Sequence, residues 1–383
     1  MPDRRPRLTR PMNHPERIRT ARLLRAQSIP DASARSHLRP RAWARYESTG
    51  APPHLSDKFA SALAFPAGYF SRQPTGVLEV TQAQVDAGPN TPQVHLEVAA
   101  AAAALSADID TWITDHFVIP ELDLPELHND DPRMTARLLR AMWGLGTKPL
   151  PNLVQFCESR GIRVYTLPAG AGSIESCHCW IGTTPFILIS LRPTPEQVRY
   201  NLARELGRLA MRERLTGADE ATGAAAFAEE FLTPGDSIIE YLPHNPSTDQ
   251  LLEARDAFKA PALLLATATH RAGRLTDYAY QQASLALSQR GFRTGEPGGM
   301  ATFERPRVFP AVFTRHRKSG GATAVAEDLA IPVDDLHALT FGVTLRAAAA
   351  GQLNAQPHLT HGQAGELAVV TAPRTRRQRR RAP

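Results

Sequence analysis

The clearest pattern of apolar and polar positions lies in the middle of the chain. Residues 184–190 form a short, β-branched apolar run that predicts a strand. Thr194 and Pro195 then supply a helix cap and a first-turn proline. The apolar residues that follow recur at helical spacing and define one buried stripe: Val198, Leu202, Leu206 and Leu209. A second amphipathic helix is predicted over 227–232, next to Pro234.

The first seventy residues carry the pattern of several short helices. We predict them over 16–26, 28–36, 40–47 and 55–65. A basic unit of short helices is typical of a helix-turn-helix. The second predicted helix is poor in large apolar residues, so we expect aromatic side chains to supply much of the core: Trp43, Tyr46, Phe59 and Phe65.

The remaining segments are less distinctive. Residues 71–95 are rich in Gly, Pro, Gln and Thr and predict a linker. The alanine run 99–104 favours a helix, which we interpret as a connecting helix. Residues 250–345 are predicted to be mostly helical. Within them, 326–336 predicts two short packing helices, weakly similar to the first unit.

Composition excludes several classes of protein. A chain of 383 residues with 42% hydrophobic residues predicts two or three domains with real cores. Three cysteines argue against a disulfide framework. The chain has no apolar run of membrane-spanning length, and no apolar segment follows the basic N-terminus as in a secretory signal. We expect a soluble cytoplasmic protein with no membrane contact.

The net charge of +6 hides an uneven distribution. Residues 1–70 contain 13 basic and 5 acidic residues, and the tail 374–381 contains six arginines. The rest of the chain is acidic on balance. Basic ends attract phosphate through release of counterions from nucleic acid. The tail fits a disordered, solubilising segment equally well.

The predicted central helix contains Arg204-Glu205-Leu206-Gly207-Arg208, the frame of the zinc-peptidase motif H-E-x-x-H with arginine at both histidine positions. Arginine stays cationic and offers no lone pair, so it repels the metal that this motif binds. Taken alone, the five residues equally describe an ordinary solvated helix. We therefore expect no zinc and no other cofactor, with Glu205 left without a metal-bound water to activate.

The best candidate for a different metal site is Cys177-His178-Cys179. In a strand, the two cysteines share one face and His178 points to the other. This spacing lacks the usual C-x-x-C chelate, so at most two thiolates would meet. With Cys157, these residues are better interpreted as buried, reduced cysteines.

The order of strand, R-x-x-L-A-x-E-L-G-x-L helix and F-A-x-x-x-L-x-P helix resembles the ImmA/IrrE family of metallopeptidase domains over roughly residues 108–240. The resemblance implies an α+β zincin-like fold and a third zinc ligand near Ala221. Asp219 and Glu220 lie just outside that register. The family pattern therefore implies a peptidase fold that has lost its metal ligands and its enzyme activity.

The N-terminal unit resembles the XRE (lambda-repressor-like) DNA-binding family in residues 17–22, 43–47 and 63–66. The resemblance implies a recognition helix that presents three arginines to DNA: Arg39, Arg41 and Arg45. This copy departs from the family pattern at several positions, namely Ile29, Pro30, Ala32, Ser36 and His37. The departures leave open a scaffold used only for dimerisation.

These observations predict a multidomain protein with an all-α helix-turn-helix N-terminal domain, an α+β zincin-like middle domain and a mostly α-helical C-terminal region. The predicted segments are a disordered leader 1–12, the helix-turn-helix 13–70, a linker 71–95, the peptidase-like domain 96–245, the helical region 246–345 and a disordered tail 346–383.

We expect a transcriptional regulator that binds double-stranded DNA as a homodimer. Its middle domain would sense a small molecule or a protein through the old substrate cleft. One alternative is a zinc metallopeptidase that uses Asp219, Glu220 and His178 as ligands and cleaves a repressor. The other is a protein–protein antagonist with neither activity.

Overall fold

The computed structural model describes residues 12–75, 84–86, 90–127, 130–211, 218–316 and 320–342. These residues are mostly helical and include one small sheet. The strands are β1 Gln84–Asp86, β2 Arg163–Thr166, β3 Ser176–Ile181 and β4 Thr184–Ile189. The helices are α1 Pro15–Leu24, α2 Ile29–Ser36, α3 Pro40–Thr49, α4 Ser56–Leu63, α5 Gly68–Ser71, α6 Gln93–His116, α7 Pro132–Met142, α8 Leu153–Ser159, α9 Pro195–Met211, α10 Ala218–Leu232, α11 Gly235–Tyr241, α12 Thr248–Phe258, α13 Ala262–Arg271, α14 Asp277–Gln289, α15 Val308–Arg315, α16 Ala322–Leu329 and α17 Val333–Leu339.

The sheet has the strand order β1-β3-β4-β2. β3 and β4 form an antiparallel hairpin that turns at Gly182, whose φ of 60° suits glycine. β2 pairs with β4 in parallel. The predicted strand over 184–190 is confirmed as β4.

The two faces of the sheet pack into different cores. Side chains alternate along a strand, so neighbouring residues face opposite ways. One face contributes to a core shared with α1 and α6 through Tyr165, Cys177, Cys179, Phe186 and Leu188. The other face packs against α8, α9 and α10 through Val164, Ile187 and Ile189. The sheet therefore separates two helical layers.

Helix α6 lies at the centre of the first core. Its alanine run 99–104 is almost entirely buried, with α1 against one side and the sheet against the other. The sequence predicts the helix correctly but interprets it as a connection. Alanine is small enough to let neighbouring elements approach closely, and a continuous alanine run gives no periodicity that would reveal which side is buried.

Two buried aspartates fix α6 to its neighbours. Asp108 forms an ion pair with Arg17 of α1, whose Nη2 donates to Oδ1 at 3.0 Å. Asp110 pairs with Arg163 of β2, with Arg163 Nε 2.9 Å from Asp110 Oδ1. The N-terminal unit and the sheet edge are thus held by carboxylates two residues apart on one helix.

The N-terminal helices form near the predicted positions. α2 is followed by its C-cap His37, which takes the left-handed conformation at φ 56° and ψ 34°, and α3 begins at Pro40. Trp43 and Phe59 are fully buried and meet edge to face, with ring centroids 5.2 Å apart. Phe59 also contacts Tyr46 and Phe70. The expectation of an aromatic core is confirmed.

The C-terminal helices divide between two cores. α11 to α14 form a cluster of their own around Leu251, Leu265 and Leu287. α15 to α17 instead join the first core beside α6. The domain boundaries predicted at 13–70, 96–245 and 246–345 stay predictions. The hydrophobic cores contain residues from more than one of these segments. Much of the predicted linker lies outside the described residues, as do nearly all of the predicted leader and tail.

No helix in the described part of the chain is both long and apolar enough to cross a membrane.

Replacing Asp108 with alanine leaves the Arg17 guanidinium buried without its carboxylate. Breaking one side of a buried ion pair costs about 3–5 kcal/mol. We expect Asp108→Ala to lower the free energy of unfolding by this amount in urea denaturation followed by circular dichroism. Asp115→Ala, at an exposed position of the same helix, serves as the control and should change little. Equal effects from the two substitutions would contradict the role of the ion pair.

Candidate functional site

Helix α9 forms the core of the site and follows the predicted pattern. Its four predicted core residues, Val198, Leu202, Leu206 and Leu209, are all buried. Gly207 permits close approach of α10, because a Cβ at this position would lie 2.6 Å from Phe227 Cδ1. The sequence therefore fixes α9 tightly between the sheet and α10.

Glu205 is completely buried between α9 and β3. Three side chains donate to its carboxylate. Ser176 Oγ donates to Oε1 at 2.6 Å, and His178 Nδ1 lies 2.7 Å from Oε2. Arg208 Nη1 donates to Oε1 at 2.8 Å. Both carboxylate oxygens are therefore occupied.

This environment keeps Glu205 ionised. Burial by itself raises the pKa of a carboxyl group, since it removes the charged form from water. Here the hydrogen bond and charge of His178, the charge of Arg208 and the hydrogen bond from Ser176 outweigh burial and lower the pKa of Glu205. Glu205 is a structural anion, enclosed by donors and removed from solvent.

The guanidinium of Arg208 joins two carboxylates. Its Nε lies 3.3 Å from Glu220 Oε1, while its Nη1 donates to Glu205. His178, Glu205, Arg208 and Glu220 thus form one continuous network. Two of the side chains considered as unconventional zinc ligands, His178 and Glu220, are engaged in this network. Arg208 supplies the positive charge at its centre.

A zinc ion does not fit these residues. Arginine offers no lone pair, and its charge opposes a cation placed beside Glu205. Among the described residues, no three His, Cys, Asp or Glu side chains are grouped so that they could hold a metal. The side chain of Asp219 lies outside the described residues. Ala221, where the family pattern implies a ligand, is an exposed alanine of α10.

Residues 157–269 match the family model of the IrrE N-terminal-like domain of the M78 peptidases. The match contains β2, β3, β4, α9 and α10, and so includes the whole network around Glu205. It starts later and ends later than the resemblance inferred from the sequence. Residues 12–75 lie outside it. No curated protein matches the chain.

The solvent-facing side of α9 in this IrrE-like domain is a narrow stripe. Tyr200 and Arg204 are partly exposed there, with the Arg204 guanidinium 5.9 Å from the centre of the Tyr200 ring. Arg208 is also of intermediate exposure as a residue, but its side chain is only 7% exposed and lies within the network around Glu205.

The three cysteines of the chain are buried and free. Cys177 and Cys179 lie on the face of β3 opposite His178, as the strand pattern predicts. Burial raises the pKa of the Cys177 thiol well above its usual range, and that of Cys179 to about 12. Neutral thiols are poor metal ligands, so the structure agrees with the interpretation of buried, reduced cysteines.

The sequence does not predict the roles of two side chains in this network. It gives no indication of Ser176, and it indicates His178 only as a candidate metal ligand. The alternation of β3 places both on one face, but α9 meets that face only through tertiary packing. Periodicity gives the face of a strand and leaves its partner undetermined.

The three arginines predicted to bind DNA are exposed around α3. Arg39 precedes the helix, and Arg41 and Arg45 share its outer face with Ala44 and Ser48, opposite the buried Trp43. Within residues 12–75 and the rest of the described chain, no carboxylate lies within ion-pair distance of these three guanidinium groups.

A double-mutant cycle tests the Glu205–Arg208 pair. Arg208→Ala leaves a buried carboxylate with less compensation, and we expect a loss of about 3–5 kcal/mol in the free energy of unfolding. Adding Glu205→Gln removes the uncompensated charge, so the double variant should be more stable than Arg208→Ala alone. Urea denaturation at neutral pH measures all four proteins. Purely additive losses would show that the two side chains act independently.

Proposed function

We propose that the protein is a DNA-binding transcriptional regulator whose IrrE-like domain has lost metallopeptidase chemistry and instead binds an effector. The observation that carries the proposal is the exposed arginine face of α3. It combines a short helix after a tight turn with three guanidinium groups available for phosphate or for guanine edges.

The orientation of α3 supports this role. Glu47 of α3 accepts two hydrogen bonds from Arg22 of α1, at 2.6 and 2.9 Å, and one from Trp43. These contacts fix the inner side of α3 against the unit. The outer side carries Arg41 and Arg45, so a rigid helix presents cations to a groove. A rigid element positions such contacts more accurately than a loop.

The network around Glu205 supports the loss of catalysis. A general base must reach a water molecule or substrate. Glu205 is fully buried and accepts hydrogen bonds on both oxygens. An ionised carboxylate paired with Arg208 also has less tendency to take a proton. The site is therefore suited to holding α9 against β3.

The packing of the two units supports regulation. α6 contacts α1 on one side and β3 of the IrrE-like domain on the other. Arg17 ties the DNA-facing unit to Asp108 of this helix. A ligand that shifts the sheet acts on α6 directly, and α6 then changes the position of α1 and α3. The identity of a small molecule or protein effector stays a prediction from the sequence.

Binding to DNA is tested with Arg41→Ala combined with Arg45→Ala. The loss of two phosphate contacts lowers the slope of log K against log salt by about 0.9 for each contact. We expect affinity for the protein's own promoter duplex to fall at least about tenfold by fluorescence anisotropy if either arginine reads a guanine edge, since a bidentate base contact is worth about 1–3 kcal/mol.

The matched control is Arg290→Ala combined with Arg293→Ala, which removes the same charge from the end of α14. It should leave the salt slope unchanged. If wild-type protein shows no salt-sensitive preference for its promoter over a random duplex, the proposed function is wrong.

Metal analysis tests the loss of the zinc site. We expect wild-type protein to contain no stoichiometric zinc by elemental mass spectrometry after purification without chelator. Arg204→His combined with Arg208→His restores two imidazoles at i and i+4, with Glu220 near residue 208. This double variant should bind about one zinc per chain in calorimetry.

The single variant Arg208→His is the control and should bind zinc far more weakly than the double variant. Stoichiometric zinc in the wild type would favour the alternative of a working peptidase with unconventional ligands.

A further inference from the structure

The chain contains the same helix-turn-helix plan twice. The first copy is α2 and α3 of the N-terminal unit, and the second is α16 and α17. α2 and α16 are each eight residues long. Each is followed by a C-cap residue with left-handed backbone, His37 at φ 56° and ψ 34° and Ala330 at φ 54° and ψ 41°. We call α1–α5 the first unit and α16–α17 the second unit.

The turns that follow have the same hydrogen bonds. Leu38 N donates to Ser33 O at 3.0 Å, and Ile331 N donates to Ala326 O at 2.9 Å. One residue earlier, the amide of each left-handed residue donates to the carbonyl three residues before it. These two hydrogen bonds together form a helix C-terminal motif that sets the direction of the next helix. In each copy one extended residue then leads into the next helix, Arg39 into α3 and Pro332 into α17.

The buried positions also correspond. The fourth residue is Ala32 in α2 and Val325 in α16, and both are fully buried. The fourth residue of α3 is Trp43 and that of α17 is Leu336, and both are again fully buried. Both units pack into the core that contains α6. The second unit is therefore a structural counterpart of the DNA-facing unit.

The surface of the second unit differs in charge. The positions that correspond to Arg39, Arg41 and Arg45 are occupied by Pro332, Asp334 and Ala338. The second unit has no cation at any of these positions and carries an acid at one. It is unsuited to phosphate contacts, and Ala338 O accepts a hydrogen bond from Thr166 of the sheet at 2.6 Å.

The second unit binds the first unit directly. Arg25 at the end of α1 donates to both oxygens of Asp335, at 2.9 and 2.7 Å. Arg72 donates to the carbonyl of Asp328, and Gly68 of α5 lies against Ala330. The side of the first unit formed by the end of α1 and by α5 is thus covered by the same chain, while α6 covers the rest of α1.

The first unit leaves little apolar surface of its own for another copy. Among residues 12–75, the large hydrophobic side chains are buried or half-buried apart from Met12, which is 44% exposed. A stable protein interface buries about 800 Å² on each partner around an apolar centre. The uncovered surface of the first unit is instead the arginine face of α3 and polar neighbours.

We propose, on the basis of the proposed function, that one chain binds one asymmetric DNA half-site, and that the second unit takes the place of a partner subunit. This proposal differs from the homodimer predicted from the sequence, which stays a prediction. A two-fold dimer needs two DNA-facing units spaced about one helical turn apart. This chain has one such unit and a counterpart that holds it in place.

Selection from a library of randomised duplexes tests the proposal with the full chain. We expect enrichment of a single motif without two-fold symmetry, and one chain for each duplex by mass photometry. An inverted repeat with two chains for each duplex would overturn the half-site proposal and leave DNA binding intact. Absence of any enriched motif would overturn both this proposal and the proposed function.

A mixing experiment gives an independent readout. The Arg41→Ala/Arg45→Ala chain is added in tenfold excess to wild-type protein bound to a selected duplex. Independent monomers predict an unchanged wild-type binding curve. If the protein binds as a dimer, mixed dimers will form and reduce the apparent affinity severalfold, which would contradict the proposal.

Discussion

The position of α6 is the constraint on which the rest of the structure depends. This helix is covered on one side by the N-terminal unit and on the other by the sheet, so the residues at its closest contacts are small and its buried charges must be paired. The buried alanine run meets the first requirement. Asp108 and Asp110 meet the second, because each faces an arginine from a different layer. Unpaired carboxylates at these depths would shift their pKa or destabilise the fold. One helix therefore determines where the N-terminal unit sits relative to the IrrE-like domain.

The same rule governs Glu205 on the other face of the sheet. A buried carboxylate needs a compensating cation, and a zinc-peptidase helix meets this need with the metal. Here the cation belongs to the chain, since Arg208 contacts both Glu205 and Glu220. This arrangement holds α9 against β3 without a metal. The residues that match the family model thus contain a buried ionic network that accounts for the packing of α9.

Much of the local structure could be predicted from the sequence, because it rests on periodicity and caps. The stripe of α9, the strand β4 and the short helices of the first unit all follow from such patterns. What could not be predicted depends on long-range contacts. Arg25 and Asp335 meet although the chain between them includes the whole IrrE-like domain. Similarly, His178 and Ser176 have a role only in the folded protein, where β3 packs against α9 and both side chains donate to Glu205. The sequence does not predict that α6 lies at the centre of a core, because alanine is compatible with any degree of burial.

The distribution of arginine partners gives the strongest reason to treat α3 as a functional surface. An arginine-rich chain has basic patches by composition alone, so exposure of a few guanidinium groups decides nothing. In this structure, however, arginines from all layers pair with carboxylates, among them Arg17, Arg22, Arg25, Arg163, Arg199, Arg208 and Arg271. The fold supplies an acid for many of the arginines that lie between its elements, and carbonyl oxygens for others such as Arg140. Arg41 and Arg45 share one outer face of α3 with Arg39 just before it, and no acid in the described part of the chain is paired with them. Exposed cations grouped on a helix whose inner side is fixed by Glu47 are well placed to contact a phosphate backbone.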